Sequence, residues 1–170
     1  MIRKVLSKFL LVTGLILLTF IYQGSFTINS ANALIREIEE TPTQIVYQAK
    51  HTLKDKTGKS WQVVFYKRVK LGKVDNINLR LVGFPGSVEI AHPQPLKISA
   101  TQDKVLIAED NFAEKAPAPN VGEYNFKKLL PELKTNAPVL LSLPLTDNEK
   151  AKIKIPLPVL LEWQEVISRN

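Results

Sequence analysis

His51 and His92 are the only imidazoles in this 170-residue chain, and it contains no cysteine. Thiol nucleophiles and cysteine metal sites are therefore excluded. The two histidines lie far apart and lack the short His/acid spacing of a metal site, so no metal ligands are expected. Glu89 and His92, joined in space by Arg80, are the one grouping from which a hydrolase site would be built. General acid–base chemistry needs such groups within hydrogen-bond reach. The simpler expectation is that His92, preceding Pro93 at a strand end, hydrogen-bonds locally. Gly83-Phe84-Pro85-Gly86 lacks the glycine spacing and the Lys-Ser/Thr pair of a phosphate loop. No serine sits in a Gly-x-Ser-x-Gly elbow. No catalytic residue and no cofactor is expected.

Binding candidates are left. Phe84 at a Pro-Gly turn and Tyr124 after a Pro-rich loop are aromatic contacts of the kind enriched at interfaces. Each also suits a core plug under its own loop, which is the preferred expectation. Arg80 lies on a strand among apolar neighbours, facing solvent or pairing across a hairpin with an acid such as Glu89. With His92, these make four candidate binding residues.

The elements that must position them are mostly strands. Ile77, Leu79 and Leu81 alternate with Asn78 and Arg80, the chain breaks at Gly83–Gly86, and Val88 and Ile90 resume the pattern. Such a stretch predicts two half-buried strands about a four-residue turn. Gln44–Leu53 and Ser60–Val69 alternate around the polar turn Lys54–Lys59, the clearest β-hairpin of the chain. Leu34–Thr41 reads as a helical turn or an arm. Leu96–Ala100 and Lys104–Ala108 read as short strands, and Asn111–Gly122 as a loop. Tyr124–Leu133 is expected to hold a short helix ended by Pro131. Val139–Leu143 and Ala151–Ile155 form a hairpin about Thr146–Glu149. Val159, Leu160, Trp163, Val166 and Ile167 then share one face of a closing helix. The fold expected is mainly β (α+β): a curved antiparallel sheet or small β-barrel with a C-terminal amphipathic helix. A two-sheet sandwich is the alternative.

Arg3, Lys4 and Lys8 precede an apolar run from Phe9 to Tyr22. Its length of about 14 residues falls short of the roughly 20 that span a bilayer. Ala31-Asn32-Ala33 offers a small-x-small cleavage site before Leu34, so residues 1–33 read as a cleavable signal peptide. Residues 34–170 read as one exported domain. Removing 33 residues with their three positive charges from a 170-residue chain of net charge +7 leaves 137 residues and +4.

Between Lys50 and Lys73 there are eight lysines or arginines and one acid, Asp55. Lys54, Lys56 and Lys59 sit at one turn and Lys67, Arg68, Lys70 and Lys73 at the other end. About 30 Å of strand separates them, several times the Debye length of about 8 Å. Two small patches do not make a nucleic-acid groove. The preferred reading is two solvated turns; as a partner, an acidic protein or an anionic membrane surface is expected, with a small apolar ligand inside a barrel as the alternative.

Long blocks carry a resemblance: ALIREIEETP after the signal, QIVYQAKHTLKDKTGKSWQ, LRLVGFPGSVEIAHPQPL, APAPNVGEYN and LEWQEV. Through them the chain resembles a cyanobacterial family of small exported proteins whose domain has no assigned function. The resemblance brings no active site and implies the periplasm or thylakoid lumen. The expectation is an exported non-catalytic protein, a protein-binding or assembly factor.

Overall fold

The computed structural model describes residues 35–101, 104–133 and 137–169. Residues 33–170 form a compact unit of their own. The signal-cleavage residues Ala31, Ala33 and Leu34 lie outside the described residues. No described helix is long and apolar enough to cross a membrane.

Among the described residues there are nine strands: β1 Arg36–Thr41, β2 Gln44–Lys54, β3 Ser60–Lys70, β4 Lys73–Gly83, β5 Leu96–Thr101, β6 Lys104–Ala108, β7 Val121–Asn125, β8 Val139–Pro144 and β9 Lys150–Ile155. One helix follows, α1 Leu157–Ser168. The strands form two antiparallel sheets, β1-β2-β3-β4-β7 and β6-β5-β8-β9. The mainly β architecture with a closing helix is thus as expected, but the sheet does not close into a barrel. The sheets touch at two corners. Past β6 the chain runs on to bridge β7 at Asp110↔Tyr124, and at the end of β2 Asp55 bridges Ile153 of β9. Single bridges at these corners leave two ladders instead of one continuous barrel wall.

Alternation decides the faces. Trp61, Val63 and Phe65 on β3 pair with Leu53, His51 and Ala49 on β2, and all six point inward. Trp61, Val63, Phe65, Leu79, Leu81, Ile98, Leu141 and Ile153 are fully buried in one interior shared by both sheets. Pro156 and Pro158 set the start of α1, where missing N–H groups are harmless. The helix buries Val159, Leu160, Trp163 and Val166. Trp163 stacks on Phe65 with centroids 4.7 Å apart, and Phe126 meets both rings edge-on at 5.9 Å.

Lys67 does not belong to a solvated patch. Between Phe65 and Val69 it faces inward and is buried. Its ammonium donates to the carbonyl of Ile167 at 2.8 Å and to that of Arg169. It thereby meets the negative end of a helix that has no basic residue in its own last turn. Burial pulls its ammonium below the ordinary lysine value.

Three local expectations are corrected. In the stretch expected as a helical turn or an arm lying on the domain, Arg36–Thr41 is strand β1, exposed throughout and held by its ladder on β2, so no helical turn forms. Val88–Ile90 does not form a strand. Ile90 N–H goes to Pro119, Ala91 N–H to Pro144, and Glu89 accepts from Thr146, so this segment bonds outward to loops and β8. Pro93 and Pro95 remove the donors that a ladder would need. Tyr124 starts no helix, because Val121–Asn125 pairs with β4 and only turns follow.

The turn after β4 is legible in its chemistry. Ser87 N–H reaches Phe84 O at 3.1 Å, with Pro85 first and Gly86 second in the turn at φ 74°. That is the order a type II turn requires. Gly83 is needed for space: a Cβ there would lie 2.2 Å from Val88 Cγ2.

Asp55 closes the β2–β3 hairpin. Its Oδ1 accepts from Thr57 N, Thr57 Oγ1 and Lys59 N, and its Oδ2 from Trp61 Nε1 at 2.9 Å. Burial pushes the carboxyl up, but the bonds from Trp61, Thr57 and Lys59 outweigh it and hold it below its ordinary 3.8. A carboxyl held lower when folded stabilises the fold above its unfolded value and loses that contribution as pH falls through the folded one.

Two outcomes follow from this packing. Trp163→Ala should cost about 3–5 kcal/mol in urea denaturation, whereas Leu161→Ala on the exposed side of α1 should stay within about 0.5 kcal/mol. Asp55→Ala should cost about 2–3 kcal/mol near neutral pH. Its deficit should hold steady down to about pH 4 and narrow below that. A deficit that widens on acidification, read from denaturation at each pH, would contradict the assignment.

Candidate functional site

β7 carries the chemistry on both of its faces. On the outward face, Glu123 lies opposite Arg80 in the β4–β7 ladder. Its carboxylate is buried and accepts from Arg80 Nε at 2.8 Å and Arg80 Nη2 at 2.6 Å. Asn78 Nδ2 donates to the other oxygen at 3.0 Å and also to the Tyr66 hydroxyl at 3.1 Å. Asn111 Nδ2 approaches the same oxygen at 3.4 Å. A buried carboxylate is tolerable only with such partners.

Tyr66 is the centre of this face. With Val46 and Val64 it forms a small buried cluster outside the main interior. The Arg68 and Arg80 guanidiniums lie 5.5 and 5.8 Å from its ring centroid, in cation–π range. Burial pushes the Tyr66 hydroxyl up, the Asn78 bond opposes this, and the charge of Glu123 adds to it. Arg68 is in turn held by Glu40 of β1, at 3.1 Å from Nε and 3.4 Å from Nη2. The Arg68 bond holds the Glu40 carboxyl below its ordinary value, against burial.

Arg80 keeps one side free. Its side chain is 44% exposed and lines an open cleft of about 390 Å³ with Phe112, Lys115, Ala116 and Pro117. The cleft floor is apolar and its rim carries two cations. Such a site can hold the carboxylate and stem of an acidic side chain.

On the inward face of the same strand lies Tyr124, bridged by Asp110, and Asp110 in turn meets His92. His92 Nδ1 is 2.6 Å from Asp110 Oδ2, so the carboxylate accepts and Nδ1 carries the proton. Asp110 Oδ1 accepts from Phe112 N at 2.9 Å, tying the dyad to the cleft loop. Burial, and then the charge of Asp110, push the Tyr124 hydroxyl well above the ordinary tyrosine value. His92 Nε2 and the Tyr124 hydroxyl are buried without a hydrogen-bond partner among the described residues.

The sequence candidates thus separate. Arg80 and Tyr124 meet at β7 from opposite faces, and His92 is linked to it only through Asp110. Tyr124 is a core plug, as preferred. Phe84 is not: it is 72% exposed at its turn. Arg80 pairs with Glu123 and not with Glu89, because β7 takes the free edge of β4. His92 does not bond locally but reaches Asp110, and Glu89 is exposed. His51 lies 2.5 Å from Glu162 of α1. No group of three His, Cys, Asp or Glu among the described residues is placed to hold a metal.

Sequence reasoning missed Glu123, Asn78, Tyr66 and Asp110. Three of them lie on three different strands, and Asp110 lies in the edge segment beyond β6. A hint lay in Val121–Asn125, where Gly122 and Tyr124 alternate with Glu123.

The family model described as "Protein of unknown function (DUF3122)" matches residues 33–166, and the chain belongs to that family. No curated protein and no solved structure matches it.

Removing Arg80 strands a buried carboxylate. Arg80→Ala should cost about 2–3 kcal/mol, below the roughly 3–5 of a fully buried pair because Arg80 is half open to water. Adding Glu123→Gln should then cost at least about 1 kcal/mol less than it does alone, a coupling read from a double-mutant cycle.

Proposed function

We propose that this DUF3122 protein is an exported, non-catalytic binding module that docks an acidic segment of a partner protein in the Arg80 cleft. It would serve as an assembly or accessory factor in the periplasm or thylakoid lumen. Export is supported by the basic n-region, the apolar run and the Ala31-Asn32-Ala33 site.

One observation carries the docking role. Glu123, itself held by Asn78, orders Arg80 on a sheet, while its free side opens beside Phe112 and Lys115. An arginine already ordered loses little entropy on binding, and arginines and aromatics dominate interface energetics. Catalysis asks for groups that converge on an open site. Here Glu89 is exposed, His92 is turned to Asp110, and its other nitrogen is buried. A carrier of a small apolar ligand needs interior room, and Trp61, Trp163, Tyr124, Phe65 and Phe126 occupy that interior.

A photo-crosslinking residue in place of Phe112, in the chain expressed in its own cell, tests this. A discrete adduct is expected that Lys115→Glu weakens about tenfold and that the same probe at Leu161 does not give. Equal labelling from both positions would contradict the proposal.

A further inference from the structure

We infer that the outer face of the four-stranded sheet is a docking surface for an anionic lipid membrane. The outward positions of β9 are Lys150, Lys152 and Lys154, alternating with buried Ala151, Ile153 and Ile155. Across the ladder, Lys152 pairs with Ser142, and Ser142 with Lys97 of β5. Lys97, Lys150, Lys152 and Lys154 are all exposed, and none makes an ion pair among the described residues. Lys56 joins their margin, its N–H bonded to the Lys152 carbonyl.

Successive lysines on β9 stand about 7 Å apart, and Lys97 about 10 Å across the sheet. These spacings are comparable to a Debye length, so the charges act as one field, unlike the two hairpin turns. Among the described residues, neighbouring acids are few or engaged. Glu109 faces Lys128 at 3.7 Å and Glu132 pairs with Lys104 at 2.8 Å. Asp147 and Glu149 sit in the β8–β9 turn at one end.

Three features choose lipid over protein. The face carries lysines without arginine or aromatic partners, and lysine is depleted at protein interfaces. Lysine acts as a mobile point charge suited to a layer of phosphates. Val105 and Ile107 on the edge strand β6 are 52% and 54% exposed on the same face, apolar groups ready to enter the headgroup boundary. At the end of this face next to the β8–β9 turn, Gln94, Pro95, Lys97, Ser142, Pro144 and Lys150 line an open notch of about 120 Å³. Two ammoniums and a hydroxyl there suit one lipid phosphate. This face lies on the other sheet from the Arg80 cleft, so the two proposals stand independently.

The test is co-sedimentation with phosphatidylglycerol/phosphatidylcholine vesicles at low salt. It uses the chain from Leu34, whose described core lies wholly within residues 35–169. Lys152→Ala/Lys154→Ala should weaken binding about fivefold per lysine removed. Lys70→Ala/Lys73→Ala, an equal loss of charge on exposed residues of the other sheet, should change it less than about twofold. Pure phosphatidylcholine vesicles should not bind. Equal losses from both pairs would reduce the effect to net charge and overturn the inference. Binding of soluble polyglutamate through Lys152 and Lys154, with no binding to anionic vesicles, would assign the face to an acidic protein and overturn it too.

Discussion

The contact among Phe65, Phe126 and Trp163 is the constraint on which the rest depends. These rings come from β3, from the segment after β7, and from α1, and they bury one another almost completely. Trp163 has to lie on Phe65 for α1 to cover the sheet. With α1 in place, Lys67 finds the carbonyls at its C-terminus and His51 finds Glu162. Phe126 fixes the other end, since its N–H bonds to Ile77 O and sets β7 in register on β4. That register puts Glu123 opposite Arg80 and Tyr124 opposite Leu79. The Arg80–Glu123 face is thus a consequence of a packing decision made on the opposite side of the sheet.

Much of this was legible in the chain because burial leaves a period. β2, β3 and β4 alternate cleanly, and α1 declares itself through Val159, Leu160, Trp163 and Val166. What escaped was whatever depends on long-range pairing. β1 is polar and wholly exposed, so nothing in its composition marks it; it exists through its ladder on β2. β7 is five residues long beside a Pro-rich loop, and it becomes a strand because β4 has an edge to fill. Glu123 is therefore invisible as a partner for Arg80, and Glu89 looks nearer only in sequence. Lys67 is the instructive case. Alternation placed it inward between Phe65 and Val69, and its charge argued it outward. Position prevailed because a helix end supplied carbonyls that a buried ammonium needs.

The two sheets, packed on one shared interior, leave two outer faces of different character. The larger sheet presents arginines ordered by carboxylates around a buried tyrosine, beside an apolar cleft. The smaller presents Lys97, Lys150, Lys152 and Lys154, without an ion pair among the described residues, edged by Val105 and Ile107. Fixed guanidiniums favour discrete, shaped partners, and free ammoniums favour diffuse negative charge. Without cysteine, both faces rest on packing and hydrogen bonding, and their separation follows from which side of each strand is buried.

The division of labour between these faces is most directly tested by NMR on the isotope-labelled chain from Leu34, titrated with anionic bicelles. The account predicts amide shifts at Lys97, Val105, Ile107, Ser142, Lys152 and Lys154, with Arg80, Phe112 and Lys115 unmoved. Shifts centred on Arg80 and Lys115, or spread evenly over both sheets, would contradict it.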